Sequence, residues 1–302
     1  MNYLITAAGK GSRLIKKGIK PPKPLVIVNG IELLIWSLSS FNFSSKDRLY
    51  IVTQKKDRVK ECLLNKIKKF YPQVFINWLE LEDVKNGQLL KAIEYFSLKG
   101  KILIHNCDTS YKISLNLEEI DQDYFGAIPY FFSEGENWSF LKTNREDLIA
   151  EVQEKNRISS KCSVGTYFFR ETDELIKLTK KYLLSINKNL YSELYISPVY
   201  DYAIKQGKKV LAIEASHVKT FGTIEEICSS FDLSINEIKG ENASSGHQRR
   251  TLVIDIDKTI CESPKVKDYS KCEPIEPVCE KLRDENNKGT YIILYTSRNV
   301  RT

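Results

Sequence analysis

The sequence lacks the features of a membrane protein or of a disulfide-stabilised secreted protein. No stretch is long and apolar enough to span a bilayer. The seven cysteines are an odd number, scattered along the chain without a C-x-x-C pair, which argues against a zinc site and a disulfide framework. The first residues also lack the basic region that opens a signal peptide. We therefore expect a cytoplasmic protein without membrane insertion.

The sequence also lacks an internal repeat and a recognisable nucleic-acid-binding module. Its formal net charge of +7 comes from lysines that are spread over predicted helical faces and loops. These lysines do not alternate with aromatic residues in a pattern typical of nucleic-acid binding. We therefore expect no nucleic-acid partner, and a basic pocket for a small, highly anionic ligand instead.

Strand-like and helix-like segments alternate through the first two-thirds of the 302 residues, of which 42% are hydrophobic. The predicted strands are Tyr3–Thr6, Leu49–Thr53, Phe75–Leu79, Ile102–His105, Phe125–Pro129 and Val164–Phe169. Helical patterns include Asp57–Phe70, Gly87–Phe96 and Glu171–Leu184. This alternation predicts an α/β, Rossmann-like fold with a mixed, mainly parallel sheet and helices on both faces.

The composition changes after Asp232, which suggests a domain boundary. Residues 233–250 contain Gly, Ser and Asn and little that can be buried, so we predict a linker there. Beyond it, two strand-like runs flank a helical stretch from about Glu276 to Asn286. The predicted organisation is a first domain over residues 1–232 and a short, partial α/β module over residues 251–302.

The segment after the first strand reads AAGKGSRL and leads into a basic loop that ends in PPKPL. Gly9 and Gly11 have no Cβ, so their backbone N–H groups can approach a phosphate closely. Lys10 and Arg13 would meet the phosphate charge, and Lys23 stands between two prolines that stiffen its backbone. The loop lacks the G-x-x-x-x-G-K-[ST] pattern of a Walker motif. An ordinary strand-to-helix turn with solvated lysines stays an alternative.

This loop and the following KPPKPLVIVNGIELLIWSL resemble the two-part signature of the sugar-phosphate nucleotidyltransferases. The family includes nucleoside-diphosphate-sugar pyrophosphorylases and phosphocholine cytidylyltransferases, and the resemblance extends more loosely to about Asp232. It implies that a phosphate monoester attacks the α-phosphorus of a nucleoside triphosphate and that pyrophosphate leaves, with Mg²⁺ as cofactor and no covalent intermediate. The AAGKGSRL loop is nearer to the phosphocholine-type enzymes, which favours CTP.

The resemblance also implies roles for particular residues. Arg13 and Lys23 would bind the triphosphate, and Asp108 in ILIHNCDTSY would hold Mg²⁺ at a strand end. The nucleotide-binding positions would be Ala7, Ala8, Gly9, Lys10, Gly11, Gly87 and Gln88. The second substrate would contact Glu154, Lys155, Gly165 and Glu193. From the residues alone, the alternatives are a turn residue for Asp108, a polar helix start for Gln88 and a solvated charge pair for Glu154–Lys155.

One position departs from the family pattern. In HVKTFGTIEEI, Phe221 occupies the place before Gly-Thr at which the family usually carries a second metal-binding aspartate. Phenylalanine cannot ligate a metal. Either Asp108 binds Mg²⁺ with water and substrate oxygens alone, or a neighbour such as Glu225 or His217 substitutes.

The second module contains VIDIDKTIC, in which Asp255 and Asp257 lie two residues apart on a strand and project to the same side. With Thr259 they resemble motif one of haloacid-dehalogenase-type phosphatases, most closely those of polysaccharide-capsule gene clusters. Asp255 would be the nucleophile, Asp257 the general acid/base and Thr296 in motif two a phosphate-binding hydroxyl. The family's motif-three lysine has no counterpart in the sequence, so we expect no phosphatase activity. An ordinary acidic turn is the alternative.

The leading hypothesis is a nucleotidyltransferase that activates a phosphorylated sugar or small alcohol for capsule or surface-polysaccharide synthesis. A glycosyltransferase of related fold is one alternative, although the P-K-P-L loop argues against it. A non-catalytic nucleotide-binding regulator is another, and Phe221 keeps it open.

Overall fold

A computed structural model describes residues 1–83, 88–185, 196–242, 251–262, 272–287 and 290–296. The chain divides into two units, Met1–Ala243 and Ser244–Thr302. None of the helices in these described ranges is long and apolar enough to cross a membrane.

Strands and helices alternate through most of the first unit. The strands are β1 (Asn2–Thr6), β2 (Ile27–Val28), β3 (Ile31–Glu32), β4 (Arg48–Gln54), β5 (Phe75–Leu81), β6 (Ile102–Asn106), β7 (Thr109–Lys112), β8 (Gly126–Phe132), β9 (Ser139–Thr143), β10 (Ile149–Glu154), β11 (Lys161–Ser163), β12 (Thr166–Phe169), β13 (Val210–Glu214) and β14 (Ser216–Thr220). The helices are α1 (Ser12–Lys16), α2 (Leu33–Leu38), α3 (Val59–Phe70), α4 (Gln88–Phe96), α5 (Thr172–Ser185), α6 (Ser197–Lys205), α7 (Ile224–Phe231) and α8 (Ile235–Glu241). Short 3-10 turns lie at Lys23–Leu25, Lys55–Asp57 and Leu117–Glu119.

Within the described residues, ten of these strands form one mixed sheet. Its parallel part has the order β6-β1-β4-β5. A largely antiparallel part, β10-β9-β11-β8-β12, continues the sheet from β6, and β13 pairs parallel to β8. The α/β fold that the sequence predicts is therefore confirmed.

Helices cover both faces of this sheet because successive strand residues point to opposite sides. Leu4 of β1 belongs to a core cluster that includes side chains of α4, α5 and α6. The next residue, Ile5, belongs to another cluster, which includes side chains of α2 and α3. A parallel strand with such cover is apolar on both sides. The segments that follow the carboxyl ends of β1 and β6 carry Arg13, Lys23 and Asp108, three of the predicted site residues.

Each strand and helix predicted for the first domain overlaps an observed one, with ends shifted by a few residues. The predicted strand Val164–Phe169 begins only at Thr166, because Gly165 has a φ of +75° and breaks the extended run. The short strands of the antiparallel part, such as β9 to β11, are not among the predicted elements.

The predicted linker is wrong at its start. The helix α8 occupies Ile235–Glu241, and its Ile238 is fully buried. The first unit therefore ends at Ala243 rather than Asp232. Ser234 caps this helix and forms a capping box with Glu237, and the S-x-x-E pattern was the sequence signal for it.

The second unit contains β15 (Thr251–Asp255), α9 (Glu276–Asn287) and β16 (Tyr291–Tyr295). The two strands pair in parallel, with Asp255 opposite Tyr295. This is the strand-helix-strand unit that the sequence predicts for the module.

Candidate active site

The exit from β1 is fixed by backbone and side-chain hydrogen bonds. Ala7 N–H donates to the carbonyl of Val52 at 2.9 Å. Ala8 N–H donates to Oε1 of Gln88 at 3.0 Å, and Nε2 of Gln54 donates to the carbonyl of Ala8 at 2.7 Å. Ala7 and Ala8 thus use their N–H groups inside the protein. The Gln88 side chain therefore fixes the start of the loop through Ala8.

The following stretch, residues 9–23, is called the cationic loop. A Cβ built on Gly9 would meet no atom within 4 Å, and Gly9 and Lys10 are exposed. Gly11 has a φ of +62°, and a Cβ there would lie 3.3 Å from Cβ of Lys23. A side chain at Gly11 would therefore be strained and would press on Lys23. The glycines keep the start of this loop open to solvent and close to Lys23.

Lys23 reaches Asp108, which lies just after β6. Its Nζ is 3.1 Å from Oδ2 of Asp108, and the two side chains are 13% and 37% exposed. Burial raises the pKa of Asp108, but the Lys23 ammonium and weaker contributions from other groups together lower it more, so this pKa lies below its ordinary value. The guanidinium of Arg13 contributes to the lowering. Lys23 and Asp108 therefore form an ion pair, and Arg13, an exposed residue of α1, is near enough to influence the Asp108 carboxylate.

Phe221 does not face this site. Its ring is fully buried, and its N–H donates to the carbonyl of Asp108 at 2.8 Å. The residue that does face Asp108 is Glu226, in the first turn of α7. A Cβ built on Gly222 would lie 3.1 Å from Oε2 of Glu226 and 3.7 Å from Oδ2 of Asp108. The missing Cβ leaves a small space flanked by two carboxylates.

Glu226 is a residue that the sequence reasoning missed. Its Oε2 accepts a hydrogen bond from Gly222 N–H at 2.7 Å, and Thr223 caps the helix by accepting from Glu226 N–H at 3.2 Å. Burial and the Asp108 carboxylate raise the pKa of Glu226, although the Gly222 N–H opposes the shift. The T-x-x-E pattern from Thr223 to Glu226 was the available signal, since a glutamate there turns back over the helix start.

The two substitutes that the sequence suggested lie elsewhere. Glu225 is 59% exposed and pairs with Lys17 at 2.7 Å. His217 is an exposed residue of β14. It is Glu226 that shares a space with Asp108.

The Asp108–Glu226 space suits a hard divalent cation. Carboxylate oxygens are the donors that Mg²⁺ prefers, and Mg²⁺ keeps several waters beside one or two protein carboxylates. The described residues gather no group of three or more His, Cys, Asp or Glu side chains that could hold a metal. The site therefore fits an ion that would complete its shell with water and substrate oxygens.

Three of the residues expected to bind the second substrate, Glu154, Lys155 and Gly165, lie in or beside strands of the antiparallel part of the sheet. Glu154 ends β10, and its Oε2 accepts hydrogen bonds from Ser139 Oγ and from Ser197 Oγ, the latter at 2.6 Å. Lys155 follows with a positive φ of 56° and an exposed side chain. Gly165 accepts a backbone hydrogen bond from Asn106 at the end of β6. Gly165 is thus near Asp108 in the fold, whereas Glu154 is held by its serines.

Two expected site residues, Gly87 and Glu193, lie outside the described residues. In the second unit, Thr296 Oγ1 donates to Oδ2 of Asp257 at 3.1 Å, so two members of the phosphatase-like motif meet. Asp255 is exposed and Thr259 is half-buried.

No protein-family model matches the chain, and no curated protein sequence matches it. Solved structures do match. A nucleoside-diphosphate-sugar pyrophosphorylase from Vibrio cholerae RC9 is 23% identical with a TM-score of 0.66, and the match covers 77% of this chain and 100% of that one.

Two further structures have the same fold. The inositol-1-phosphate CTP transferase from T. maritima is 14% identical with a TM-score of 0.58, and the match covers 81% of this chain and 96% of that one. A UDP-glucose pyrophosphorylase solved with UDP-glucose is 14% identical with a TM-score of 0.60, covering 76% and 97%. These likenesses show that the chain has the fold of nucleotidyltransferases.

Proposed function

We propose that the first unit is a nucleotidyltransferase that joins a nucleoside monophosphate to a phosphorylated sugar or small alcohol and releases pyrophosphate. The observation that carries the proposal is the Lys23–Asp108 ion pair at the glycine-rich exit from β1, with the Arg13 guanidinium near enough to lower the pKa of Asp108. Two cations beside a carboxylate at this edge suit a triphosphate and the cation that accompanies it.

The reaction needs positioning and charge neutralisation rather than a protein nucleophile. A phosphate oxygen of the acceptor forms a bond to the α-phosphorus of the triphosphate, and the bond from that phosphorus to the bridging oxygen of pyrophosphate breaks. Arg13 and Lys23 neutralise the charge that grows on the departing pyrophosphate. Lys23 exchanges its contact with Asp108 for one with phosphate when substrate is present.

Asp108 and Glu226 are the residues that would hold Mg²⁺. The ion would neutralise phosphate charge when bound. Gly222 keeps the space between the two carboxylates free of a side chain. Glu154 and Lys155, with Gly165 and Glu193, are proposed to contact the acceptor.

We further propose that the nucleotide is CTP, that the product feeds capsule or surface-polysaccharide synthesis, and that the protein is cytoplasmic. The loop sequence AAGKGSRL supports CTP. One of the similar structures is a CTP transferase and another binds UDP-glucose, so uridine and other bases belong in the same test. The second unit is proposed to be part of a haloacid-dehalogenase-like module, on the strength of Asp255, Asp257 and Thr296.

The test is pyrophosphate release with each of the four common triphosphates against a panel of phosphorylated sugars and alcohols. We expect turnover with one triphosphate and its complete loss in EDTA. A nucleotide sugar that is consumed without a triphosphate would show a glycosyltransferase instead. Nucleotide binding without any turnover would support a regulator.

Variants of the site sharpen this test. Arg13→Ala and Lys23→Ala should each lower kcat by roughly 10²-fold or more, since they remove charge from a preorganised site. Asp108→Asn should abolish turnover. Lys16→Ala is the matched control, because it removes an exposed charge from the same loop. A folded Arg13→Ala enzyme with the turnover of the Lys16→Ala control would contradict the proposed role.

A further inference from the structure

Among the described residues, a small core cluster lies apart from the two that cover the faces of the sheet, and it is called the support cluster. Its buried members are Leu14, Ile19, Val26, Val28, Leu33, Phe221, Ile224, Ile227, Phe231 and Ile238. They come from α1 and the loop after it, the hairpin β2–β3, the start of α2, and the segment with α7 and α8. The helices that carry Arg13 and Glu226 therefore rest on the same core as Val26, which follows the 3-10 turn of Lys23.

Asn242, which directly follows α8, holds the hairpin β2–β3. It is 4% exposed, its Oδ1 accepts from Ile27 N–H at 2.9 Å, and its Nδ2 donates to the Ile27 carbonyl at 2.8 Å. Nδ2 also donates to the carbonyl of Ile238 at 2.9 Å. The Asn242 side chain thus binds Ile27 through both backbone groups, as a neighbouring strand would.

Glu241 holds the turn of the same hairpin. Its Oε1 accepts from Gly30 N–H at 2.6 Å, and its Oε2 accepts from Asn29 N–H at 3.2 Å. Both turn residues have a positive φ, 50° at Asn29 and 73° at Gly30. Hydrogen bonds to an ionised acceptor are stronger than those between neutral groups, so Glu241 fixes a turn of an uncommon backbone conformation.

This hold is transmitted to Lys23 through the backbone. Val26 N–H donates to the Lys23 carbonyl at 3.2 Å, and Leu33 N–H donates to the Val26 carbonyl at 2.9 Å. On the other flank of the cationic loop, a Cβ on Gly18 would lie 3.6 Å from Cε of Lys239. The helix α8 therefore meets the chain on both sides of Lys23.

We infer that Glu241 and Asn242 are positioning residues for Lys23. Both side chains bond the hairpin, and they fix the backbone from which Lys23 extends to Asp108. The inference rests on the proposed role of Lys23 in binding a triphosphate. It gives a function to residues that the sequence predicts to be a linker.

The kinetic test uses the full chain with Glu241→Ala and Asn242→Leu. A lysine displaced by about 1 Å can cost up to roughly 10²-fold in rate, so we expect kcat/KM for the triphosphate to fall by about ten- to a hundredfold. KM for the acceptor should stay the same, because the loss is confined to the triphosphate side. Glu241→Gln keeps an acceptor oxygen for the turn and should recover part of the loss.

The matched control is Glu237→Ala. It removes a carboxylate of the same helix, which bonds Ser234 in the capping box and not the hairpin. It should weaken α8 without changing kcat/KM for the triphosphate. An equal change in this control, or an equal rise of KM for both substrates, would overturn the positioning role.

Hydrogen exchange of residues 19–33 provides a readout that does not depend on turnover. Exchange there should be faster in Glu241→Ala and Asn242→Leu than in the parent and in Glu237→Ala. Unchanged exchange would overturn the inference even if turnover fell. A parent chain that released no pyrophosphate would refute the proposed function, and the exchange result would then still decide whether α8 holds this loop.

Discussion

At the scale of single residues, we expect substitutions of two adjacent glutamates to affect metal affinity differently. Glu226 flanks the space beside Asp108, whereas Glu225 is exposed and pairs with Lys17. Glu226→Gln removes the charge of a candidate ligand, so we expect affinity for Mn²⁺ in the presence of triphosphate to fall by roughly tenfold or more. Glu225→Gln should bind Mn²⁺ as the parent does. Titration followed by the electron paramagnetic resonance of free Mn²⁺ measures both, and equal affinities in the two variants would exclude Glu226 as a ligand.

The buried His105 should make the free energy of unfolding depend on pH. It is fully buried between Thr166 Oγ1, 2.7 Å from Nδ1, and the Thr109 carbonyl, 3.2 Å from Nε2. Burial lowers the pKa of His105 from 6.5 to about 4. Between these values the unfolded chain binds a proton that the folded chain does not, so stability is lost as the pH falls from about 6.5 to about 4.

The size of this effect follows from the pKa difference. At about 1.4 kcal/mol per pKa unit, the His105 contribution to the free energy of unfolding falls by roughly 3 kcal/mol over that range. His105→Gln can keep both hydrogen bonds without a titrating group. Urea unfolding at pH 7 and pH 4 should therefore show a smaller acid loss in the variant. Parallel losses in parent and variant would contradict a neutral His105.

The site residues divide according to the kind of signal that marks them. Arg13, Lys23 and Asp108 belong to local sequence motifs. Such motifs can be recognised without knowledge of the fold. Glu226 lies outside the family's motif, and the motif position of a metal ligand is occupied by Phe221, whose ring lies in the core. Which side chain reaches Asp108 depends on the direction of the first turn of α7, and a linear pattern does not give that direction.

At the scale of elements, we predict that a cavity in the support cluster lowers both the stability of the protein and its affinity for the triphosphate. Phe221→Ala removes a fully buried ring and should cost about 3–5 kcal/mol in the free energy of unfolding. Phe140→Ala, at a fully buried residue of β9, is the matched control with a similar cost. Only Phe221→Ala should also weaken triphosphate binding, because its neighbours carry the cationic loop. Equal triphosphate affinity in the two variants would refute this coupling.

The elements that the sequence predicts well are those that carry long apolar runs. The strand β1 and its parallel neighbours are buried on both faces, so their composition alone marks them. The strands β9, β10 and β11 are short and mix buried residues with partly exposed ones, and their pairing is a property of the whole sheet. The helix α8 has one fully buried residue, Ile238, so its small apolar content looked like that of a linker.

At the scale of the whole molecule, a further prediction concerns phosphatase activity in the second unit. Asp257 meets Thr296, and Asp255 is exposed, but the sequence offers no counterpart for the lysine that would balance a transferring phosphoryl group. The chain of 302 residues should therefore not hydrolyse p-nitrophenyl phosphate in Mg²⁺. Asp255→Asn should give the same background rate. Hydrolysis that disappears in this variant would show that another group replaces the lysine.

The support cluster also has a consequence for biosynthesis. A chain leaves the ribosome from its N-terminus, so α1 and the hairpin β2–β3 emerge roughly 200 residues before α7 and α8. At roughly 5–20 residues per second, these early segments wait on the order of ten to forty seconds for the side chains that cover them. Until then the core that buries Leu14, Val26 and Leu33 is incomplete. These side chains stay accessible to chaperones during that time. The loop that is translated first is thus among the last parts of the protein to reach its final conformation.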